Sequence, residues 1–428
     1  MMKTIRTSDS RFDDLFNGIM NRGGATDEAL QHSVERIVAD VAARGDEALF
    51  EYTRTFDGYD LTTLTVAVTE KEMADALSRV EERDLQMIRL AAERIERFHR
   101  RQIQEDWMDE SEGGVRLGQR LVPLERAGIY VPGGLAAYPS TVLMAAIPAR
   151  IAGVEEIVIV SPLREGTVHP LVAAAAHLSG VSRLFKIGGA QAIAALAYGT
   201  ASIPRVDKIV GPGNAYVAAA KKLVYGQVAI DMIAGPSEIL VIADGKTPAS
   251  FVAADLLAQA EHDEMASAVL LTPDESYARA VSAEVFRQVE QLKRKAIAVR
   301  SLNRYGAAIV TKDMSEAVTL ANRFAPEHLE LAVSDPDELL PLIRHAGAIF
   351  MGSYTPETLG DYLAGPNHIL PTSGTARFSS ALGVYDFVKR ISVLSFSPGS
   401  FRKYGRDAAR FADLEGLEGH GNAIRVRL

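Results

Sequence analysis

Short apolar runs alternate with alanine-rich stretches between about residue 120 and residue 236. The runs RAGIYV, EEIVIVSP, RLFKIGG and VDKIVGPGN are each followed by a segment with the composition of a helix. Apolar runs of this length predict buried parallel strands, and the repeated strand, loop and helix order predicts a sheet covered by helices. We therefore expect a doubly wound domain over residues 130–236.

A second series of the same kind follows residue 236. The runs SEILVIADG, ASAVLLTP, GAAIVT, HLELAV and GAIFMG alternate with helical patterns. Residues from about 25 to 110 show instead a helical period of apolar positions. The predicted fold class is α/β, with two Rossmann-like doubly wound domains that contain parallel sheets, plus small N- and C-terminal extensions.

The helical residues are expected to join the second series in one discontinuous domain. The predicted boundaries are 1–24 for an N-terminal extension, 25–129 with 237–380 for a first α/β domain, 130–236 for a second Rossmann-like domain, and 381–428 for a C-terminal tail domain.

Composition excludes several classes of partner. The 428 residues are 47% hydrophobic and 24% charged, and the net charge is -9. Dispersed basic residues give no electrostatic footprint for nucleic acid or anionic lipid. No apolar run is long enough to span a bilayer, and acidic residues near the start interrupt the apolar core that a signal peptide needs. We expect a cytoplasmic protein with no nucleic-acid or membrane partner.

The chain contains no cysteine. Disulfides, thiolate metal sites and a cysteine nucleophile are therefore excluded.

The stretch ANRFAPEHLELAV contains the first candidate for chemistry, the adjacent pair Glu327 and His328. Pro326 fixes the backbone before the pair, and the alternation that follows predicts a half-buried strand. A carboxylate and an imidazole at a loop-to-strand junction suit proton transfer near neutral pH. A solvated Glu–His pair explains this stretch equally well.

Glycine turns mark the second Rossmann-like domain. In VDKIVGPGNAYV, Gly211 and Gly213 lie between a strand and a helix, where backbone N–H groups can hold a phosphate. Tyr216 occupies the place of the third glycine of a dinucleotide fingerprint, so a tight turn is an equally good explanation. Similar turns at Gly188 and at Pro132 to Gly134 indicate a ligand-binding rim.

Polar candidates for metal binding are scattered over the chain. They are Gln259, His262, Asp361, His368, Glu415 and His420. Gln259 and His262 share a helix face, but a lone histidine is more often a structural residue. Nitrogen and oxygen donors without a thiolate suit a catalytic or substrate-holding Zn²⁺. Spacing alone does not join these residues.

Several motifs in order along the chain resemble the histidinol dehydrogenase family. They are YVPGG, KIGGAQAIAALAYGT, VGPGNAYV, IDMIAGPSEILVIAD, DLLAQAEHD, RFAPEHLEL, GDYLAGPNHILPTSG and the tail from Glu415 to His420. The resemblance implies four-electron oxidation of L-histidinol to L-histidine with two NAD+, through bound histidinal, in the last steps of histidine biosynthesis. It also implies a zinc-containing homodimer.

The resemblance assigns roles residue by residue. One Zn²⁺ per subunit would be bound by Gln259, His262, Asp361 and His420. The substrate would contact Ser237, Gln259, His262, His328, Asp361, His368, Glu415 and His420. NAD+ would contact Tyr130, Gln191 and Asn214. Glu327 and His328 would be the proton-transfer pair. The first α/β domain would then carry the metal and catalytic residues, the second the NAD side, and the tail would be exchanged between subunits.

The absence of cysteine limits how the second oxidation, from the aldehyde to the carboxylate, can proceed. Without a thiohemiacetal, the aldehyde would have to be oxidised as its hydrate, which requires a base that activates water. Glu327 is assigned to that task, and His328 to the alcohol and hydrate protons. Zinc would act mainly as a template that holds the substrate.

Three other interpretations compete. One is a related zinc- and NAD-dependent dehydrogenase for another small polar alcohol, such as a sulfonated diol. Another is a zinc hydrolase with Glu327 as base, which leaves the glycine rim unexplained. The last is a nucleotide-binding module without catalysis, which leaves the histidine and aspartate set unexplained.

Overall fold

The computed structural model describes residues 2–22, 28–110, 112–133, 138–162 and 167–428. The strands are β1 (Lys3–Arg6), β2 (Trp107–Asp109), β3 (Val115–Pro123), β4 (Arg126–Tyr130), β5 (Glu156–Val160), β6 (Arg183–Phe185), β7 (Lys208–Val210), β8 (Ala229–Ile230), β9 (Glu238–Ala243), β10 (Ser267–Thr272), β11 (Gly306–Val310), β12 (His328–Ala332), β13 (Ala348–Met351) and β14 (Val388–Phe396).

The α-helices lie mainly on the faces of the sheets. They are α1 (Phe12–Met20), α2 (Glu28–Arg44), α3 (Asp46–Asp57), α4 (Glu70–Leu77), α5 (Glu82–His99), α6 (Pro139–Ala152), α7 (Pro170–Ser179), α8 (Gly189–Tyr198), α9 (Ala215–Val224), α10 (Ala249–Ala260), α11 (Glu275–Val289), α12 (Lys295–Tyr305), α13 (Met314–Phe324), α14 (Pro336–Leu339), α15 (Glu357–Leu359), α16 (Pro398–Leu414) and α17 (Glu418–Arg425).

The first sheet is parallel and has the strand order β1-β11-β10-β9-β12-β13. Strand β12 lies between β9 and β13, and all five of its residues are buried. The expectation of a half-buried strand was wrong, because apolar cores cover both faces of this sheet. One consequence is that Glu330, at the centre of β12, is a buried carboxyl.

The N-terminal segment packs on the first sheet of the same chain. Strand β1 pairs with β11 at the sheet edge, from Lys3 opposite Ala307 to Arg6 opposite Val310. Helix α1 buries Phe16 in the core, where its ring lies 5.9 Å from the ring of Phe324. Residues of the predicted extension therefore complete this sheet.

The second sheet is also parallel, with the order β6-β5-β4-β7-β8. The chain runs from β4 outward through β5 to β6, and then returns to place β7 on the other side of β4. The crevice at the carboxyl ends of β4 and β7 is thus a topological switch point, where ligands bind in folds of this type. The prediction of an α/β fold with parallel sheets is confirmed.

Helices α2 to α5 cover the second sheet, contrary to the expectation that they join the first. Val34 and Leu49 share a core with α8, and Ile88 and Ile95 share a core with α6 and α7. The physical reason is that α6 and α8 are apolar almost all round, so each needs a second layer of helices outside it. The domain boundaries themselves stay predictions.

A third sheet, antiparallel and of order β14-β3-β2, was not anticipated. Strand β14 from the C-terminal tail pairs along the whole of β3, from Val388 opposite Pro123 to Phe396 opposite Val115. After β14 the chain forms α16 and α17, which pack against each other. Strands β2 and β14 are largely exposed, and β3 between them is mostly buried or half-buried.

A buried ion pair fixes the turn after β7. Lys221 is paired with Asp231, and their side chains are 3% and 1% exposed. The Lys221 ammonium also donates to the carbonyl of Gly211 at 3.0 Å, and Asp231 Oδ2 accepts from the Gly211 N–H at 2.7 Å. The glycine has φ +108°, and a Cβ there would lie 2.3 Å from the carbonyl oxygen of Tyr130. The turn therefore requires both glycine and the ion pair.

Replacing Lys221 with Met should destabilise the protein strongly, because Asp231 would be left as an unpaired buried charge. The expected loss in the free energy of unfolding is about 3–5 kcal/mol. Urea unfolding followed by circular dichroism measures it. The neighbouring exposed residue provides the control, since Lys222→Met should cost little. Equal losses for the two variants would contradict the assignment.

Candidate active site

The candidate site lies at the amino ends of β9 and β12. The two strands are parallel neighbours, and His328 is in register with Ile239. Glu238 at the start of β9 is therefore brought beside Glu327 and His328 at the start of β12. All three side chains are buried. The predicted pair is thus enclosed by the protein, which excludes the interpretation of a solvated Glu–His couple.

Glu238 holds the pair through its backbone and its side chain. Its N–H donates to Glu327 Oε2 at 2.9 Å, and its Oε1 accepts from the Glu327 N–H at 3.3 Å. Its carbonyl oxygen lies 3.1 Å from His328 Nδ1. A carbonyl can only accept, so Nδ1 carries the proton and Nε2 keeps its lone pair. The ring is thereby fixed in the tautomer of a base.

Arg22 supports Glu238 from the N-terminal segment. Its Nη2 donates to Glu238 Oε2 at 2.6 Å, and the two side chains are 0% and 1% exposed. The Arg22 guanidinium also donates to the carbonyl oxygens of Ile19 and Met265, both at 3.0 Å. Burial raises the pKa of the Glu238 carboxyl, and the nearby guanidinium opposes this rise. The segment that supplies β1 therefore also underlies the candidate site.

Three buried polar side-chain atoms of the candidate site lack a hydrogen-bond partner. His328 Nε2, Gln259 Oε1 and Glu357 Oε2 have no hydrogen-bond partner among the described residues. Glu357 Oε2 lies 3.5 Å from His328 Nδ1, and Asp361 Oδ1 lies 4.0 Å from His328 Nε2. Native proteins rarely leave such atoms unpaired, so this cluster marks a place where a ligand binds.

Burial raises the pKa of the glutamates in the site and lowers the pKa of His328. It raises the pKa of Glu327 well above its usual value, and the negative charge of Glu238 adds to this rise. It does the same for Glu357, with Asp361 adding to the effect. Burial lowers the pKa of His328, so its imidazole is neutral at pH 7. Perturbed pairs of this kind are typical of active sites.

The predicted ligands Gln259, His262 and Asp361 come together here. Gln259 lies in the last turn of α10 and is 1% exposed, and His262 follows in the next turn. Burial lowers the pKa of His262, and the charge of Asp361 acts on it from nearby. A neutral imidazole, a carboxylate and an unpaired amide oxygen suit Zn²⁺. Within the described ranges, no three His, Asp or Glu side chains form a metal-binding group.

His368 and Ser237 lie at the border of the same space. His368 Nδ1 is 2.9 Å from the carbonyl oxygen of Asp361, which fixes this tautomer as well. Burial lowers the pKa of His368, and the neighbouring His328 and His262 contribute to the shift. Ser237 is half-buried immediately before β9. The structure therefore gathers these predicted residues around one pocket.

Glu415 and His420 are placed differently. Both lie in the tail, at the end of α16 and within α17, and both are exposed. Their side chains make no hydrogen bond or ion pair with any part of the chain that the structure describes. A single chain therefore presents these two residues to solvent and not to its own pocket.

The predicted NAD contacts lie at the carboxyl edge of the second sheet. Tyr130 ends β4, Gln191 lies in the first turn of α8, and Asn214 is the N-cap of α9, where its side chain accepts from Val217 N–H at 3.1 Å. The glycine turns predicted to form a rim follow β4, β6 and β7 at this same edge. Gly134 of the first turn falls outside the described residues.

Behind the pocket lies a carboxyl pair that sequence reasoning missed. Glu330 hydrogen-bonds Asp255 of α10, and its Oε1 accepts from the Glu357 N–H at 2.8 Å. Burial raises the pKa of Asp255 to about 6 and raises that of Glu330 well above its usual value. Two buried carboxyls in contact therefore share a proton. No spacing rule links residues so far apart in the chain.

Glu238, Glu357 and Arg22 were also missed. Glu238 had one sequence signal, since it is an acidic residue at the start of an otherwise apolar run. Glu357 and Arg22 lie in polar stretches that resemble surface loops, and nothing in their spacing indicated burial.

The parallel α/β fold and the buried acid–imidazole pocket define the class, an α/β enzyme with a candidate active site between two neighbouring strands. Comparison with known proteins resolves the family. The sequence profile described as histidinol dehydrogenase matches residues 20–428. Histidinol dehydrogenase of Syntrophotalea carbinolica is 56% identical over 428 residues, covering 100% of this chain and 99% of the relative. That of Geobacter sulfurreducens is 55% identical, with 100% of both chains covered.

A solved structure agrees. Histidinol dehydrogenase from Elizabethkingia anophelis superimposes with a TM-score of 0.94 at 38% identity, covering 100% of this chain and 98% of that one. The chain belongs to the histidinol dehydrogenase family, and it is an oxidoreductase of that family. In the described part of the chain, no helix is both long and apolar enough to cross a membrane.

The shared proton of Asp255 and Glu330 predicts an unusual pH dependence of stability. Asp255 has a folded pKa of about 6 against an ordinary 3.8, so the folded protein binds the proton more tightly than the unfolded chain. This contribution is complete below about pH 4 and is lost as the pH rises through about 6. Asp255→Asn removes the charge and keeps an acceptor for Glu330.

Relative to wild type, the Asp255→Asn variant should therefore gain unfolding free energy as the pH rises from about 4 to about 7. Urea unfolding at several pH values measures the difference. The exposed residue Asp407 serves as control, since Asp407→Asn should follow wild type throughout. A constant difference between Asp255→Asn and wild type would show that the pair does not hold an extra proton.

Proposed function

We propose that this enzyme oxidises L-histidinol to L-histidine through bound histidinal, in the last steps of histidine biosynthesis. Two NAD+ accept the two hydrides, and one water supplies the second carboxylate oxygen. Membership of the family supports the reaction. The observation that carries it is the enclosed His328, whose Nδ1 is held by the Glu238 carbonyl and whose Nε2 has no hydrogen-bond partner among the described residues.

His328 acts in the alcohol step. Its Nε2 takes the hydroxyl proton of histidinol while the carbinol C–H leaves as hydride, and the product is the aldehyde. The Nδ1–H continues to donate to the carbonyl oxygen of Glu238, which keeps the ring oriented while the imidazole gains a positive charge. Asp361, 4.0 Å from Nε2, stabilises that charge.

Glu327 acts in the aldehyde step. Oε2 is held by the Glu238 N–H, and the other carboxylate oxygen is left to remove a proton from water. Addition of that water gives the hydrate, whose C–H hydride leaves next as His328 takes a hydrate O–H proton. A raised pKa makes Glu327 a stronger base than an exposed carboxylate. The absence of cysteine agrees with this route.

One zinc ion per subunit fits the donor set of the pocket. Gln259, His262 and Asp361 would hold it, together with His420 from a second copy of the chain. The ion supplies a fixed positive charge that anchors the imidazole and amine of the substrate. Ser237 and His368 border the same space, and Glu415 would arrive with the second copy's tail.

NAD+ is assigned to the carboxyl edge of the second sheet, where Tyr130, Gln191 and Asn214 lie. The switch point between β4 and β7 is the place where doubly wound sheets bind dinucleotides. The N-termini of α8 and α9 follow glycine turns at this edge and suit the pyrophosphate.

A homodimer with exchanged tails would complete the pocket. The third sheet exposes Ile391, Leu394 and Phe396, and α16 exposes Phe411 and Leu414. Of these, Leu394 and Leu414 are 67% and 68% exposed. Apolar surface of this extent on one arm is typical of an interface. A second copy that covers the arm would bring His420 and Glu415 to the neighbouring pocket.

Steady-state assays test the reaction. We expect two NADH for each histidinol consumed, because both hydrides leave the same carbon and the aldehyde stays bound. Absorbance of NADH against chromatographic loss of histidinol gives the ratio. A ratio near one, or no turnover, would exclude the proposed function and favour a dehydrogenase for another alcohol. Absence of thermal stabilisation by NAD+ would favour a zinc hydrolase instead.

Complementation tests the exchanged tail. His420→Ala and Glu327→Gln should each be inactive, and purified mixed dimers should regain roughly half of wild-type activity, because one of their two sites is intact. Chains carrying two different affinity tags allow mixed dimers to be purified. The matched control combines Gln259→Ala with Glu327→Gln, which should restore nothing, since both residues belong to the same chain's pocket. Equal results for the two mixtures would argue against tail exchange.

A further inference from the structure

Asp57 is a carboxylate that the proposed mechanism does not use. It is the last residue of α3, and Gly58 ends the helix in the left-handed conformation at φ 75°. A negative charge there faces the negative end of the helix dipole. Asp57 forms no ion pair with a Lys or Arg in the described ranges, and burial raises the pKa of its carboxyl. The helix gains nothing from this charge.

The neighbours of Asp57 are residues assigned to NAD binding. Gln191 Nε2 donates to Asp57 Oδ2 at 3.5 Å. The Tyr130 hydroxyl accepts from the Gly189 N–H at 3.2 Å, and the charge of Asp57 adds to the rise that burial causes in the pKa of Tyr130. Helix α3 packs on α8, which brings the three side chains to one edge of the second sheet.

Exposure distinguishes the members of this trio. Tyr130 and Gln191 are 4% and 1% exposed, whereas Asp57 is half-buried. The tyrosine and the glutamine are thus enclosed, and the carboxylate is the group of the three that faces outward. The long contact with Gln191 occupies one oxygen weakly and leaves acceptor positions open.

We propose that Asp57 accepts hydrogen bonds from the vicinal hydroxyls of a ribose of NAD+ and so excludes NADP+. A carboxylate at this edge of a dinucleotide-binding sheet binds both hydroxyls, and it repels the 2′-phosphate of NADP+. Tyr130 and Gln191 then support Asp57 from behind. The assignment rests on the proposed use of NAD+ by this chain, and it names the residue that selects the cofactor.

In other doubly wound domains, the acidic residue that binds the ribose hydroxyls follows the second strand of the sheet. Here the described residues that directly follow β5 are Ser161 and Pro162, neither of which is acidic. Asp57 comes instead from the helical layer formed by residues 28–99. The helices that cover the second sheet would thereby also contribute to its ligand site.

Nucleotide binding by the full-length protein tests the assignment without turnover. NADH and NADPH fluorescence titrations give a Kd for each nucleotide. Wild type should bind NADH and bind NADPH far more weakly. Asp57→Asn should raise the Kd for NADH about 10- to 100-fold, as loss of a charged hydrogen bond does, while the Kd for NADPH stays the same or falls. Asp57→Ala serves as a second variant.

Glu47→Gln is the matched control, because it removes the same charge from an exposed position of the same helix. It should bind both nucleotides like wild type. NADH affinity unchanged in both Asp57 variants would overturn the assignment, and so would equal weakening for NADH and NADPH. Wild type that binds no NADH would instead refute the proposed function itself.

Discussion

The active pocket depends on a buried carboxylate that is not itself a candidate catalyst. Glu238 contacts Glu327 twice and His328 once, and it is held by Arg22 from the N-terminal segment. Burying an ion pair costs more than it returns unless each polar atom finds a partner. Here the Glu238 carboxylate accepts from the backbone N–H groups of Glu327 and Ser373. The backbone N–H and carbonyl oxygen of Glu238 bind the side chains of Glu327 and His328, so the residue that is satisfied in this way also orients the site. The N-terminal segment that forms β1 and α1 is therefore structurally coupled to the pocket.

Three buried polar atoms of the pocket are not satisfied in this way. Gln259 Oε1, His328 Nε2 and Glu357 Oε2 are enclosed and unpaired among the described residues. An isolated domain gains no stability from such atoms, because each has lost its water without a replacement. Their burial in the candidate site is understandable if a cation and a substrate provide the missing partners. Function, and not stability, accounts for these atoms.

The two halves of the proposed reaction are divided between the sheets. Proton transfer belongs to the amino edge of the first sheet, and the dinucleotide to the carboxyl edge of the second. The second sheet follows the general rule that ligands bind at carboxyl ends of parallel strands, and the first does not. In the first sheet the proposed pair lies where the chain enters β12, and Glu238 holds the side chains of Glu327 and His328. Glu415 and His420 of the tail face solvent in a single chain. In the proposed function they reach a pocket only when a second copy of the chain is present.

The sequence by itself determined the strands of the two parallel sheets other than β1 and β8, and it identified Glu327 and His328 as the candidate proton-transfer pair. Long apolar runs can only be buried, and the motifs that resemble the family keep their order along the chain. Only the tertiary structure showed that residues 28–99 cover the second sheet, that β14 joins an antiparallel sheet, and that Arg22 reaches Glu238. Apolar periodicity says that a helix face is buried but not which surface buries it. Likewise, a buried carboxyl is identified by its surroundings, and the partners of Glu330 and Glu357 come from distant parts of the chain.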